Sequence, residues 1–253
     1  MHKKRIIARL DVKNEFVIKG IHLEGLRKVG DPNELAKKYY HDGVDEIIFM
    51  DAVAAYYDRN SLTEIIERAC KDVFVPITVG GGIRRIEDIQ IALNAGADKT
   101  AINTKAVKDP NFIKEAAKIF GSQCIVSSID VLKVDDDKWE VYTDNGREPA
   151  GVDAVDWAKK VQDLGAGEIM LTSINKEGTK KGFDIELNNK ISQTVNIPII
   201  SSGGAGKSDD VADLLEKSGV DAVALASLLH YKIESVKTLK KFLVNHRKIQ
   251  VRL

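Results

Sequence analysis

The sequence predicts an α/β fold, a (β/α)8 TIM barrel built from two duplicated half-barrels, on three observations. Eight short β-branched segments alternate with amphipathic segments, the chain has 253 residues, and its two halves share a pattern. Alternating strand and helix patterns indicate parallel strands joined by helices. About 250 residues is the usual length of eight such units closed into a barrel. An open doubly wound sheet is the main competing architecture.

The candidate strands are runs of apolar, often β-branched residues that are too short for buried helices. Turn or helix signals bound each run, as expected for strands that a helix follows. In chain order the runs are Ile6-Ile7, Glu46 to Asp51, Val75 to Val79, Lys99 to Asn103, Cys124 to Asp130, Glu168 to Thr172, Ile197 to Ser201 and Ala222 to Leu225.

Two of the intervening helices carry explicit start and stop signals. Asp31-Pro32-Asn33-Glu34 supplies an N-cap, a first-turn proline and an acidic N3 residue, and Gly43 ends that helix. A second helix opens at Asp109-Pro110 and ends at Gly121. One-sided apolar spacing predicts that it packs on a sheet by one face. The apolar positions are Phe112, Ile113, Ala116, Ala117 and Phe120.

An internal repeat favours the barrel over the open sheet. Pro76-Ile77 recurs 122 residues later as Pro198-Ile199, each leading into a glycine pair, and Gly43 recurs at the same offset as Gly165. A duplicated half with four βα units closes naturally into an eightfold barrel. A Rossmann sheet would need G-x-G-x-x-G after its first strand, and the sequence lacks it there. We expect one domain over residues 1–253, with half-barrels at about 1–122 and 123–253.

Composition narrows the possible functions. With 43% apolar and 30% charged residues, the chain is a folded domain with a sizeable core rather than a disordered or fibrous protein. Basic and acidic residues number 38 each. This balance leaves no net field to attract nucleic acid or an anionic membrane.

The sequence shows no pattern typical of a disulfide scaffold, a zinc site, a signal peptide or a membrane span. Cys70 and Cys124 are the only cysteines, too few for a disulfide scaffold and without zinc-site spacing, so we expect no metal. The apolar run after Met1 is too short for a signal peptide, and none approaches the roughly 18 residues of a membrane span. These features predict a cytoplasmic protein.

Two aspartates are the candidate catalytic residues. Asp11 and Asp130 each end a predicted strand, at equivalent places in the two halves. Active sites of such barrels lie at the carboxyl ends of the strands, so the two carboxylates should face each other across the mouth. A facing pair suits general acid and base work if the environments separate the two pKa values. The alternative for either aspartate is a loop cap or a lysine partner.

Two glycine clusters predict two phosphate sites, one in each half. Gly80-Gly81-Gly82 follows the third strand, and Gly203-Gly204-Ala205-Gly206 follows the seventh. Missing side chains let backbone N–H groups approach an anion. Neighbouring strand ends complete each cradle, and Lys19, in one of two long segments at 12–30 and 131–152, is either a phosphate ligand or a surface lysine. The predicted substrate is long, with a phosphate at each end.

Strand parity predicts a ring of charges near the amino-terminal end of the barrel. Side chains alternate across a strand, so inward positions follow in steps of two back from Asp11, Asn103 and Thr172. Glu46 joins the set as the repeat counterpart of Glu168. Buried charges there need mutual pairing, and parity alone leaves open a structural plug or a gate. The four residues are Arg5, Glu46, Lys99 and Glu168.

The chain resembles the cyclase subunits of imidazole glycerol phosphate synthase, the HisF family of histidine biosynthesis. The resemblance covers essentially the whole chain. It rests on Arg5 to Lys13, Lys19-Gly20, Gly30-Asp31-Pro32, Thr78 to Ile83, Ile102-Asn103-Thr104, Phe120 to Gln123, Ile129-Asp130, Gly167-Glu168-Ile169, Leu171-Thr172-Ser173, Gly178-Thr179 and Ser202 to Gly206.

The resemblance implies a reaction and a role for each candidate residue. Ammonia from a glutaminase (HisH-type) partner, bound at the amino-terminal face, enters through the charged ring, which is then a gate. The family closes an imidazole ring on an open-chain ribulosyl bisphosphate and releases imidazole glycerol phosphate and an aminoimidazole carboxamide nucleotide, with no cofactor. Asp11 and Asp130 match its acid and base. The substrate-binding residues implied are Lys19, Gly81, Gly82, Asn103, Thr104, Thr172, Ser202, Gly203, Gly204, Ala226 and Ser227.

Three departures from the family pattern lie at or near the mouth. Arg9 stands where the family usually has a small residue, Asn14-Glu15-Phe16 replaces a segment that usually reads Asp-Gly-Arg, and Asn175 to Gly178 replaces Asp-Arg-Asp-Gly. Arg9 would favour ionised Asp11 and narrow an ammonia path. The departures leave two alternatives: an ammonia-channelling paralogue for acetamidino modification of surface-glycan sugars, or a non-catalytic glutaminase activator.

Overall fold

Eight parallel strands close into a barrel within residues 3–54 and 62–252, the part of the chain that this computed structural model describes. The last of these strands in the ring pairs with the first, so the barrel is complete. All eight predicted strands and the predicted (β/α)8 architecture are confirmed. Around the ring the strands are β1 (Arg5–Lys13), β4 (Glu46–Asp51), β5 (Ile77–Gly80), β6 (Lys99–Ile102), β7 (Ile125–Asp135), β10 (Glu168–Ser173), β11 (Ile199–Ser202) and β12 (Ala222–Leu225).

Helices cover the outside of the barrel. In α1 the Asp31 carboxylate accepts hydrogen bonds from the amides of Asn33 and Glu34, which confirms the predicted N-cap. Phe112, Ile113 and Ala116 of the second predicted helix are buried against the strands. The described helices are α1 (Pro32–His41), α2 (Thr63–Ala69), α3 (Ile86–Asn94), α4 (Thr104–Lys108), α5 (Asn111–Phe120), α6 (Ala154–Asp163), α7 (Ile185–Thr194), α8 (Ser208–Lys217), α9 (Ser227–His230) and α10 (Val236–Arg247).

The two long segments that follow β1 and β7 are antiparallel hairpins, where the sequence predicted loops with a hairpin turn only in the second. β2 (Phe16–Ile21) and β3 (Glu24–Gly30) extend β1, and β8 (Lys138–Thr143) and β9 (Glu148–Asp153) extend β7. Pairing to the end of a barrel strand satisfies backbone groups that a loop would leave to water. Each half therefore raises a hairpin beside its strand-end aspartate.

The turn of the second hairpin matches its sequence signal. Asp144, Asn145 and Gly146 all adopt positive φ, at 51°, 58° and 77°. Asparagine, aspartate and glycine tolerate this region best, and hairpin turns require it. The Arg147 amide then donates to the Thr143 carbonyl at 3.1 Å.

Apolar side chains form two layers separated by the barrel wall. The larger layer lies between strands and helices, and the smaller one fills the lumen. Inward and outward residues alternate along each strand as parity predicts. The luminal layer comprises Ile7, Ile48, Ala101, Val126, Met170, Ile200, Ala222 and Ala224, with Met50 packed against it.

Aspartates that precede strands tie the amino-terminal edge of the barrel together. Asp45 accepts from the Ile6 amide at 2.7 Å, Asp98 from Ile77 at 2.8 Å and Asp221 from Ile199 at 3.0 Å. Each carboxylate caps a neighbouring strand, so the base of the barrel is held by side chains as well as by the sheet ladder. Within the described residues, no helix is both long and apolar enough to cross a membrane.

Candidate active site

Asp11 and Asp130 lie on β1 and β7, four strands apart in the ring of eight, at the carboxyl ends of the strands. Each is 7% exposed. The Asp11 carboxylate accepts from Arg9 Nε at 2.8 Å and lies 3.6 Å from Lys19 Nζ. The Asp130 carboxylate accepts from Asn103 Nδ2 at 3.0 Å. The symmetry of the repeat thus brings two differently partnered carboxylates to one mouth.

The partners of the two carboxylates separate their pKa values. Burial opposes the ionisation of Asp11, but the charges of Arg9 and Lys19 outweigh it and hold the Asp11 pKa below its ordinary value. At Asp130 burial dominates and raises the pKa, and Arg9, Thr172 and Asn103 offset it only in part. Asp11 is therefore suited to act as a base, and Asp130 as an acid.

Arg9 lies inside the lumen, one layer below the mouth, as strand parity predicts. Its side chain is 3% exposed and spans from β1 to β10 and β11. Beyond Asp11, the guanidinium donates to Thr172 Oγ1 at 2.9 Å and to Ser202 Oγ at 3.2 Å. The only strand between β1 and β11 is β12, whose inward residue at this level is the small Ala224. Arg9 thus links the catalytic candidate Asp11 to β10 and β11, across the inner side of β12.

Arg9→Met is expected to raise the pKa of Asp11. Methionine keeps a long side chain in the lumen but removes the charge, so burial of the Asp11 carboxylate is no longer outweighed to the same extent. The carboxyl carbon resonance of Asp11, followed by NMR against pH in both proteins, reports the change directly. An Asp11 titration that stays in place or moves to lower pH contradicts this account of Arg9.

The first phosphate cradle, which follows β5 and β6, is open. A cavity of about 340 Å³ is lined by Gly81, Gly82, Asn103 and Thr104 and reaches Asp130. Gly81 has φ +91°, and a Cβ there would lie 2.3 Å from the Asp51 carbonyl oxygen, so only glycine fits. The cations at its rim, which the sequence reasoning did not single out, are Arg84, Lys105 and Lys108.

The second phosphate cradle, which follows β11 and β12, is closed. Ser202, Gly203, Gly204, Ala226 and Ser227 surround a cavity of only about 10 Å³. Gly204 has φ +115°, and a Cβ there would lie 2.2 Å from the Gly182 carbonyl oxygen. Ser227 Oγ is buried and has no hydrogen-bond partner among the described residues. The backbone is shaped as a cradle, but its space is nearly filled.

Lys19 is buried in β2, at 3% exposure, so the surface-lysine alternative is wrong. Its ammonium group pairs with the Glu177 carboxylate and lies near Asp11. Burial lowers the Lys19 pKa to about 8, although Asp11 opposes that shift. Glu177 also lines the second cradle and was noticed in the sequence only as a departure from the family pattern.

His230 is a further buried group beside the second cradle that the sequence reasoning missed. It lies in α9, three residues after Ser227, and its Nδ1 is 2.7 Å from the Tyr39 hydroxyl. Burial, with a smaller effect from Lys19, lowers its pKa to about 4. The imidazole is therefore neutral at physiological pH and adds no charge to the cradle.

The four predicted ring residues pair in a closed cycle at the amino-terminal end of the lumen. Arg5 donates to Glu46 and to Glu168, each at 2.6 Å. Lys99 donates to the same two carboxylates, at 3.1 Å and 2.8 Å. Burial opposes the charge on Arg5, but Glu168 and Glu46 outweigh it and raise its pKa above the ordinary value. Alternating charges leave the ring neutral as a whole.

The arrangement combines an acid–base pair, one open and one closed cradle, and a charged ring at the other end of the lumen. Between the ring and Arg9 the lumen is filled by apolar side chains. Among the residues that the structure describes, no three His, Cys, Asp or Glu side chains are grouped to hold a metal ion. Proton transfer on a phosphorylated substrate is chemistry that these groups can perform.

Comparison with known proteins gives a consistent result. The model of the histidine biosynthesis protein family matches residues 5–234. The imidazole glycerol phosphate synthase subunit HisF of Legionella pneumophila is 55% identical over 210 residues, 83% of this chain and 99% of that protein. The HisF subunit of Bacillus cereus strain Q1 is 47% identical over the full length of both chains. That of Dehalococcoides mccartyi is 48% identical over 96% of each.

Proposed function

The chain belongs to the histidine biosynthesis family that includes the HisF subunits of imidazole glycerol phosphate synthase, and we propose that its barrel mouth performs the cyclase reaction of that enzyme. The substrate is an open-chain ribulosyl bisphosphate that reacts with ammonia. The products are imidazole glycerol phosphate and an aminoimidazole carboxamide nucleotide. The observation that carries this proposal is the pair Asp11 and Asp130, with oppositely shifted pKa values, between two cradles.

Asp11 and Asp130 divide the proton transfers. The ionised Asp11 accepts a proton as the ammonia nitrogen bonds to the substrate, and Lys19 and Arg9 keep that carboxylate charged beforehand. The protonated Asp130 donates to the leaving group on the opposite side of the mouth, and Asn103 orients it through its amide. Because the two groups lie on strands four apart, a substrate stretched between the cradles passes between them.

The glycine cradles anchor the two ends of the substrate. Gly81, Gly82, Asn103 and Thr104 hold one phosphate, and Ser202, Gly203, Gly204, Ala226 and Ser227 hold the other. Thr172, whose hydroxyl accepts from Arg9, contacts the substrate between them. Two fixed ends place the reacting carbons near both carboxylates, which lowers the entropic part of the barrier.

A glutaminase partner of the HisH type binds at the amino-terminal face and supplies ammonia through the charged ring. The relatives are named as subunits, and the ring of paired charges closes the lumen on the face opposite the mouth. Neutral ammonia crosses the apolar lumen at little cost, whereas ammonium would have to be desolvated. The four ring residues therefore serve as a gate rather than as a plug.

Lys99→Ala is expected to spare turnover driven by ammonium salt and to reduce glutamine-driven turnover at least about tenfold. The variant leaves Glu46 and Glu168 with Arg5 alone, so the ring loses its closed pairing and leaks or misroutes ammonia. Both rates are measured with the partner present, and glutamate release reports coupling. Lys159→Ala, at an exposed position on α6, is the control. Equal losses in both assays contradict the gate.

The direct test of the proposal is consumption of the open-chain bisphosphate by the purified protein with excess ammonium salt at mildly alkaline pH. Ammonia-dependent turnover supports the cyclase. A folded protein that stimulates glutaminase but shows no turnover supports the activator alternative. No turnover and no stimulation leaves a sugar acceptor to be tested, with Arg9 the first residue to examine.

A further inference from the structure

The two cradles are equivalent in sequence but differ in the structure. The first is a cavity of about 340 Å³, whereas the second has about 10 Å³, no more than one water molecule needs. Both cradles keep positive-φ glycines at which an added Cβ would meet neighbouring backbone. Each cradle has an acidic residue beside its glycines, but the two are partnered differently. Asp51, which lines the first cradle, accepts from the amides of Val53 and Ala54 at 2.9 and 2.8 Å, whereas Glu177, which lines the second, pairs with Lys19.

Glu177 occupies the place beside the cradle glycines. A Cβ built on Gly203 would lie 3.2 Å from Glu177 Oε2, so the carboxylate touches the cradle floor. Glu177 is 3% exposed, and its charge is matched by Lys19. Two carboxylate oxygens beside Lys19 and the glycine backbone resemble the oxygens of a bound phosphate in charge and chemistry.

The backbone around Glu177 is held independently of its carboxylate. The Glu177 amide donates to the Ser173 carbonyl at 2.9 Å, and the Glu177 carbonyl accepts from the His22 amide at 2.9 Å. Gly178 packs against β2, where a Cβ would lie 2.3 Å from the Gly20 carbonyl oxygen. Ser227 Oγ, buried at the cradle and unpartnered within the described chain, remains available to a ligand. The side chain is thus replaceable without loss of the loop.

We propose that Glu177 is a specificity-determining residue, an internal anion that occupies the second cradle until the phosphate of a ligand anchored in the first cradle displaces it. This inference rests on the proposed function and extends it to substrate selection. Exchange of one anion for another keeps the buried Lys19 ammonium paired throughout. The displacement needs a high local concentration of phosphate, which the tether to the first cradle supplies.

Substrate selection and product release both follow from the competition between Glu177 and phosphate for the second cradle. A bisphosphate displaces Glu177 because its second phosphate is delivered intramolecularly, whereas a monophosphate must compete from solution. Cleavage yields two products with one phosphate each, and the phosphate left in the second cradle loses its tether. Glu177 then returns to Lys19 and expels that product.

The test is a titration of the isotope-labelled full chain with inorganic phosphate, followed by NMR at the backbone amides. Gly81 and Gly82 report the first cradle, and Gly203 and Gly204 report the second. In Glu177→Gln, phosphate is expected to half-saturate the second cradle at about one tenth of the concentration needed in the unmodified chain. The first-cradle midpoint stays unchanged. Glu186→Gln, an exposed partner of Lys133 outside the site, should leave both midpoints in place.

Glu177→Asp provides a second variant should the glutamine variant not fold. Its shorter side chain reaches Lys19 less well, so the second-cradle midpoint is expected to fall by a smaller factor. Midpoints at Gly203 and Gly204 that are unchanged or higher in the folded variants overturn the proposal. Because the titration uses no turnover, a failed cyclase assay of the unmodified chain is a separate result that bears only on the proposed function.

Discussion

Asp11→Asn is expected to lower ammonium-driven turnover by about a thousandfold while the barrel stays folded. The asparagine is nearly the same size and still accepts a hydrogen bond from Arg9, but it cannot take up a proton. Loss of a positioned general base costs about 10²- to 10⁴-fold in rate. Asp11 lies at a strand end rather than in the apolar core, so circular dichroism should be unchanged.

The control for this variant is the same aspartate-to-asparagine change at an exposed position outside the site. Asp156→Asn removes an exposed carboxylate on α6 and should leave both rate and fold unaltered. In the unmodified chain the depressed Asp11 pKa keeps this base ionised until the pH falls below its ordinary range. Substantial turnover in Asp11→Asn, within about tenfold of the unmodified rate, would exclude Asp11 as the base.

Asp130→Asn is expected to cause a loss of similar size, about a thousandfold, with a different pH signature. Burial raises the Asp130 pKa, so the carboxyl group is protonated below that value and ionised above it. Turnover that needs the protonated group therefore falls as the pH rises through the raised pKa. The asparagine variant lacks this alkaline limb, because its amide does not titrate.

The pH profile must be corrected for the supply of ammonia. Ammonium loses its proton as the pH rises, so the rate is expressed per concentration of neutral ammonia rather than per total salt. After that correction, an alkaline limb in the unmodified chain and a flat residual rate in Asp130→Asn support the acid role. An alkaline limb that persists in the variant belongs to another group and contradicts it.

Much of this fold was predictable because its signals are local or periodic. Strand runs, the Asp31 cap and the Asn145-Gly146 turn each depend on neighbouring residues. The repeat then places Asp11 opposite Asp130, and parity places the ring residues at one level of the lumen. The strands of the two hairpins were not predicted, apart from the turn of the second, because they are short and pair with the ends of barrel strands.

The candidate site was predicted only in outline. Lys19 and Glu177 are separated by 158 residues, and nothing in either local segment indicates that they pair. His230 carries no motif, and its neutrality arises from burial. The opposed pKa shifts of the two aspartates likewise depend on which charges the fold brings near each of them, although their sequence contexts are similar.

The sequence by itself determined the barrel, its twofold repeat, the levels of the luminal side chains and the family. These features follow from the spacing of residues in the sequence. The fixed geometry of a strand or helix determines where each side chain points and at which level of the barrel it lies. Only the tertiary structure decided that Arg9 reaches Thr172 and Ser202 inside the lumen, that the pKa values of the two aspartates shift in opposite directions, and that Glu177 lies against the glycines of the second cradle. Desolvation and long-range pairing are properties of the packed interior, where low polarity turns small differences in neighbours into large differences in charge state.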